Sequence, residues 1–259
     1  MNIVVCVKQV PDSWAEKKLD PSDRTLDRES VDAVMNELDE YAVEEALKLA
    51  EAHGGEVTIL SMGPEKTGET IRKALSMGAD KGVHVVDPAL HGSDALVTSA
   101  VLAKALGTVE WDLVLLGVES TDARMSVLPA MLAERLGAPQ LTLASSVEVD
   151  GTTVRVKRLT EAGYDTVEGS TPAVVGVVEK INEPRYPSFK GIMAAKKKPV
   201  TTLTLAELGL SADAAGTAGS WSAVVDFTPA PPRQAGTVVK DEGDGGAKIA
   251  EFLAGRKFI

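Results

Sequence analysis

The sequence predicts an α/β fold: a doubly wound, mostly parallel sheet with an added hairpin and an extended C-terminal arm. Three observations carry this reading. Short apolar runs alternate with amphipathic stretches from Met1 to about Val178. Most of those stretches end at glycine, which best tolerates the turn that closes a helix. After Val178 the alternation stops. Strands separated by single helices imply right-handed crossovers, and these build parallel sheets.

The elements follow in order. Residues 2–7 are continuously apolar, as a strand buried on both faces must be. A helix is expected over 30–52, with Val31, Val34, Met35, Leu38, Ala42, Ala46, Leu47 and Ala50 on one face and Gly54-Gly55 as its stop. A strand over 56–62 ends at Gly63-Pro64. A helix over 65–77 closes at Gly78, and Arg72 and Lys73 read as its exposed charges. A strand over 82–86 and a helix over 93–106 follow. Then come a strand over 112–116, a polar loop, and a helix over 126–136 ending at Gly137. Strands 142–149 and 153–159 flank Asp150-Gly151, a hairpin signal. The last apolar strand is 173–178.

Beyond it, the segment from Asn182 to Lys198 sets Tyr186, Phe189, Ile192 and Met193 among Pro184, Pro187 and the triplet Lys196, Lys197, Lys198. It reads as a loop, because proline forbids regular pairing. In a chain with three Trp, three Tyr and four Phe, apolar groups on a cationic loop suggest a surface for another protein. The bland alternative for the lysines is a solvated run. A short turn of helix at 203–210, a small-residue loop at 211–222, an extended proline-rich piece from Thr228 to Arg233 and an amphipathic helix over 246–254 complete the chain. The expected division is an α/β domain over 1–181, a partner-recognition loop over 182–199 and an arm over 200–259. That arm lacks the periodicity for a core of its own.

Composition narrows the function. The 259 residues, 44% hydrophobic and 25% charged, suit a globular protein with a substantial core. A net charge of −11 disfavours nucleic acid and anionic membrane surfaces as partners. No apolar run is long enough for direct membrane insertion. The lone Cys6 excludes an internal disulfide and points to a reducing, cytoplasmic setting without a signal peptide. Within its apolar run Cys6 reads as a buried small hydrophobe. His53, His84 and His91 lack metal-ligand spacing.

In parallel sheets of this kind, ligands bind beyond the carboxyl ends of the strands. That selects residues 8–13, 61–64 and 117–125. The loop from Gly117 to Ser126 enters a helix, so its backbone N–H groups with Ser120, Thr121, Ser126 and Arg124 could cradle a phosphate. The alternative is a polar loop whose Ser126 caps its own helix. Asn36 and Asp39 lie one turn apart beside Glu40 and could meet a ribose or base, or form a solvated helix face. No glycine-rich dinucleotide fingerprint, P-loop or nucleophile–base–acid set is present.

An ordered set of segments resembles the beta subunit of electron-transfer flavoproteins over nearly the full length. The pieces are Val7-Lys-Gln-Val-Pro-Asp12, Asn36-Glu-Leu-Asp-Glu-Tyr-Ala-Val-Glu-Glu-Ala46 and Glu69-Thr-Ile-Arg-Lys-Ala-Leu-Ser-Met-Gly-Ala-Asp80. They continue with residues 112–117, Pro172-Ala-Val-Val175, Asn182-Glu-Pro-Arg-Tyr186 and Ile192-Met-Ala-Ala-Lys-Lys-Lys198. The resemblance implies an adenine-nucleotide alpha-hydrolase-like sheet and a non-catalytic electron carrier. It implies pairing with an alpha subunit that supplies most of the FAD site. Electrons would come from flavin dehydrogenases such as acyl-CoA dehydrogenases and pass toward a quinone oxidoreductase, as in fatty acid oxidation.

The resemblance also implies a bound AMP. Carried over by position, its contacts fall at Cys6, Asn36, Glu37, Leu38, Asp39 and Met62. They continue at Glu119, Ser120, Thr121, Asp122, Ala123 and Arg124, then at Met125, Ser126, Val127, Leu128, Pro129 and Ala130. Partner docking falls on residues 187–198 with Phe189 as anchor, and Asn182 to Tyr186 brace that arm. The chain departs from the family pattern at Leu38, at Asp122-Ala-Arg124, at Pro129-Ala130 and at Phe189. The alternatives are a bifurcating-type subunit holding a second FAD, and a nucleotide-binding regulatory module or hydrolase-like enzyme on a related fold.

Overall fold

The computed structural model describes residues 1–232, 236 and 238–259. The chain forms two compact units, Met1–Val225 and Asp226–Ile259. The first begins with β1 (Asn2–Cys6), β2 (Gln9–Pro11), β3 (Ala33–Met35), α1 (Glu37–His53), β4 (Glu56–Met62), α2 (Thr67–Met77) and β5 (Lys81–Val85). It continues with α3 (Ala95–Leu106), β6 (Leu113–Gly117), α4 (Leu128–Leu136), β7 (Gln140–Asp150), β8 (Thr153–Thr160), β9 (Gly163–Ser170) and β10 (Ala173–Val177). It ends with α5 (Phe189–Ala195), β11 (Val200–Leu203) and α6 (Gly216–Gly219), while α7 (Gly245–Gly255) belongs to the second unit.

Nine strands form one sheet in the order β11-β5-β4-β1-β6-β10-β7-β8-β9. Neighbours from β11 to β7 are all parallel, and β8 and β9 extend the edge antiparallel. Side chains alternate across each strand. Ile3, Val5 and Val7 therefore pack with Ala42, Ile71 and Leu75 of α1 and α2, whereas Val4 and Cys6 pack with Val101 and Leu132 of α3 and α4. Helices on both faces make the sheet doubly wound, as the alternation predicts. From β1 the chain winds outward through β4 and β5, then returns to lay β6 on the other side of β1. That reversal opens a crevice at the carboxyl ends of β1 and β6.

Several elements differ from expectation. The helix expected over 30–52 begins only at Glu37. Residues Ala33–Met35 pair antiparallel with Gln9–Pro11 instead, and the Asp27 carboxylate holds the preceding turn through Glu29 and Ser30 N–H. Val34 and Met35 satisfy either period, and the partner that decides between them is distant in sequence. Strand β9 was not anticipated, because its residues are mostly exposed and only Val167 packs on the core.

The segment after Tyr186 is not a plain loop. Ser188 caps α5 by accepting Gly191 N–H at 3.0 Å. Pro184 and Pro187 precede that cap, outside the helix, so neither removes a bond of its ladder. Residues 200–225 also pack within the first unit. β11 adds to β5, Leu205, Leu208 and Ala215 are buried in the core, and Asp94 accepts N–H bonds from Trp221 and Ser222. The compact α/β unit thus reaches Val225, beyond the boundary drawn at 181. Backbone pairing at a sheet edge needs no apolar periodicity, which is why the sequence pattern missed it.

In the second unit, α7 forms where an amphipathic helix was expected, and Asp241 accepts Gly243 and Gly245 N–H groups just before it. Residues 228–232 carry no helix or strand, and the Arg233 end of the extended reading lies outside the described residues. Among the described residues, no helix is long and apolar enough to cross a membrane.

Candidate functional site

The site grows from the crevice between β1 and β6. Past the end of β1, Lys8 N–H donates to Asp39 Oδ2 at 2.7 Å. The Lys8 carbonyl accepts Asn36 N–H at 2.9 Å. These two bonds stitch the first turn of α1 to the strand. Gly117, closing β6, lies against the same turn. A Cβ there would sit 2.6 Å from Asp39 Oδ1 and 2.7 Å from the Leu38 carbonyl carbon, so a residue without a side chain is required.

Asn36 is 1% exposed and reaches across to the loop after β6. Its Nδ2 donates to Glu119 O at 2.9 Å, and its Oδ1 accepts Thr121 N–H at 3.0 Å. Using both ends of the amide fixes its orientation. Lys8 Nζ reaches the same loop, donating to Asp122 Oδ1 at 2.8 Å and to Ser120 Oγ at 3.3 Å. Arg28 adds a bond from Nη2 to Asp122 Oδ2 at 3.1 Å. Burial opposes the Asp122 charge, yet Lys8, Ser120 and Arg28 together hold its carboxyl below the usual range. At Asp39 the balance reverses. Burial pushes that carboxyl up to about 7, against the pull of donors from Asn36, Lys8 N–H and Gly117 N–H.

The loop then turns through Arg124 and Ser126, both in the left-handed region with φ 49° and 55°. Ser126 does not cap the following helix. Its hydroxyl donates to Glu119 Oε2 at 2.7 Å, and the cap position of α4 is Val127, with no side-chain cap bond. The α4 N-terminus therefore lacks a side-chain acceptor. Thr121 Oγ1 is buried and makes no hydrogen bond. The Thr121 hydroxyl and the α4 N-terminus, both in the segment that follows β6, leave an unpaired donor and a positive helix end suited to an anionic, polar ligand.

Not every candidate residue faces this crevice. Cys6 points into the α3/α4 core, where burial raises its thiol. Leu128 packs against that same core, and Pro129 is buried close to Gly176 of β10. Glu37 is exposed and accepts the Ser13 hydroxyl at 2.7 Å. Met62 is half-buried at the end of β4, and Ser61 beside it donates to Val7 O at 2.7 Å. Leu38, Val127 and Ala130 are half-buried, whereas Ala123 and Met125 are exposed.

Residues 23–208 match the family model described as electron transfer flavoprotein domain. The chain is 54% identical to the electron transfer flavoprotein subunit beta of Mycobacterium leprae (strain TN), over 100% of this chain and 99% of the relative. The chain belongs to the electron transfer flavoprotein beta-subunit family. It is 38% identical to the namesake of Thermoanaerobacterium thermosaccharolyticum, with 92% of each covered. It is 35% identical, again over 92% of each, to the caffeyl-CoA reductase-Etf complex subunit CarD of Acetobacterium woodii. Membership of this electron transfer flavoprotein family places the chain in electron transport within a flavoprotein, and a beta subunit implies an alpha-subunit partner.

The second candidate region is the α5 segment. Phe189, 81% exposed, stands out with Tyr186, Ile192 and Met193. Lys196 and Lys197 are also exposed. Lys198 is not free for a partner, since its Nζ donates to the carbonyls of Leu75, Gly78 and Ala79 at 3.0, 3.1 and 2.5 Å. Arg72, expected to be a mere surface charge, donates from Nη1 to Ala195 O at 2.6 Å and Lys198 O at 2.7 Å. Lys73 pairs with Glu40. Arg185 is held by Glu44 and Glu51 of α1, and Asn182 Nδ2 donates to Tyr41 O and Glu45 Oε2, both at 3.0 Å.

Sequence reasoning missed the roles of Arg28 and Arg72, and it placed Gly117 in the ligand loop without seeing why glycine is needed there. Arg28 and Arg72 had no local signal, because their partners are remote in the chain. Gly117 had one: a glycine ending an apolar strand marks a close backbone approach.

Proposed function

We propose that this chain binds AMP in the β1/β6 crevice and, with an alpha subunit, forms a heterodimer that holds one FAD and carries electrons without catalysing a reaction of its own. The observations that carry the reading are the orphaned, buried Thr121 hydroxyl and the uncapped α4 N-terminus, both in the segment that follows β6. Asn36 clamps the loop against α1, and Lys8 with Arg28 neutralises Asp122. That neutralisation spares an anionic ligand a nearby uncompensated negative charge.

Bound FAD would supply the redox chemistry. This chain's part is to hold the nucleotide, brace the heterodimer and dock donors. Electrons would come from acyl-CoA and related dehydrogenases and leave to a quinone oxidoreductase in the cytoplasmic compartment. Phe189, flanked by Ile192, Met193, Lys196 and Lys197, supports donor docking at α5. Aromatic side chains such as Phe are enriched at the cores of protein interfaces. The terminal residues from about Thr228 would pack on the alpha subunit.

The test is mass spectrometry of small molecules released on denaturation. AMP from the chain alone, which should be colourless, together with FAD from a yellow one-to-one complex with the alpha subunit, is the expected result. FAD released from this chain alone would overturn the AMP reading in favour of a second flavin. A chain that releases no nucleotide would overturn the site.

A further inference from the structure

The α5 helix is too short to hold its shape on its own, since a helix of a turn or two is marginal in water. Yet its inner face is closely seated on α2. Gly191 lies so close to α2 that a Cβ would come within 2.4 Å of the Ser76 carbonyl oxygen. Ala195, one turn on, is buried. The outer face carries Phe189, Ile192 and Met193, all exposed. The helix thus rests on its small residues and presents its large ones.

The two helices also close each other's ends. The last carbonyls of a helix have no partner within it. Arg72, on α2, takes Ala195 O and Lys198 O at the end of α5. Lys198, just past α5, takes Leu75 O, Gly78 O and Ala79 O around the end of α2. Each cation also meets the negative end of the other helix's dipole. The exchange is reciprocal: each helix lends a cation to the other.

We propose that Arg72 and Lys198 are positioning residues that pre-seat the docking helix, so that Phe189 meets a donor dehydrogenase in a fixed place. This rests on the reading of α5 as the docking surface. Without the clasp, α5 would have to order on each encounter, and that ordering would weaken docking. The chemistry after docking would be untouched. Of the three lysines, only Lys196 and Lys197 remain for charge complementarity with a partner.

The test uses the heterodimer as electron acceptor for a flavin dehydrogenase. Arg72→Met and Lys198→Met each remove the donors and keep an unbranched apolar stem. Each should raise KM for the heterodimer about tenfold with kcat and flavin content unchanged, and should speed amide hydrogen exchange across residues 189–198. Arg72→Lys should restore much of the wild-type KM, because one ammonium can serve both carbonyls. Should Arg72→Met prove too unstable, Gly191→Ala, which lifts α5 off Ser76, tests the same seat.

Phe189→Ala separates the two ideas. A raised KM in Phe189→Ala with unchanged KM in the clasp variants would overturn the clasp and leave docking intact. Unchanged KM in Phe189→Ala would remove the docking reading. The clasp would then stand on the exchange data alone, with opened amides supporting it and protected amides refuting it.

Discussion

The brace at Arg185 gives the sharpest test of how this fold holds its docking segment. Arg185 donates to Glu44 Oε2 at 2.7 Å and Oε1 at 3.0 Å, and to Glu51 Oε1 at 2.6 Å and Oε2 at 3.2 Å. Geometry makes the two pairs look alike, but burial separates them. The Glu44 side chain is 8% exposed and that of Glu51 is 61% exposed. Exposed pairs contribute at most about 1 kcal/mol. Removing one partner of a buried pair costs about 3 kcal/mol or more, because the other charge is stranded.

Arg185→Met should therefore destabilise the chain by about 3 kcal/mol, and Glu51→Gln by less than about 1 kcal/mol. In urea unfolding followed by circular dichroism, a slope of about 2 kcal/mol per molar turns the larger loss into a midpoint shift of about 1.5 M. The double variant Arg185→Met/Glu44→Gln should recover part of the loss, since the buried carboxylate otherwise left with only the residue 185 N–H at 3.1 Å is then uncharged. Equal costs for Glu51→Gln and Arg185→Met would refute the argument that burial decides.

Other outcomes follow from the crevice. Gly117→Ala should cost about 1–3 kcal/mol as an overpacked contact and reduce the AMP that co-purifies; wild-type stability would show that the α1 turn yields easily. Thr121→Val should leave the ligand-free chain as stable or about 1 kcal/mol more stable, since it removes an unpaired buried hydroxyl, while AMP content falls. Undiminished AMP content would remove Thr121 from the site. Asp39 sets a pH dependence. Its folded carboxyl lies near 7, well above an ordinary aspartate near 3.9. The stability it contributes is therefore fully present below about pH 4 and lost as pH rises through 7. Asp39→Asn should flatten that fall when unfolding midpoints are compared between pH 4 and 8, and an unchanged slope would show that another group is responsible.

The sequence by itself determined the parallel sheet, the helices on its two faces and the strand ends where a ligand would sit. Those features follow from short-range apolar periodicity and from the handedness of crossovers, which any local stretch of chain reveals. It also held the family resemblance, and with it the segment that bears Phe189. What it did not hold were the pairings that depend on distant residues. Met35 fits a helix face as well as a strand until Gln9 arrives to pair with it. Val200–Leu203 has no alternation to mark it, yet it completes the sheet edge beside β5.

The site divided in the same way. Asn36 and Asp39 were visible as neighbours on one helix turn, but Arg28 meets Asp122 across a separation of 94 residues that only the fold closes. Arg72 and Lys198 are both lysine-or-arginine surface residues to a reader of sequence. Only tertiary structure sets each at the end of the other's helix, because unpaired carbonyls attract whichever cation the fold brings near. The loop expected between Asn182 and Lys198 is thus in part a short seated helix, its large side chains outward and its small ones against α2.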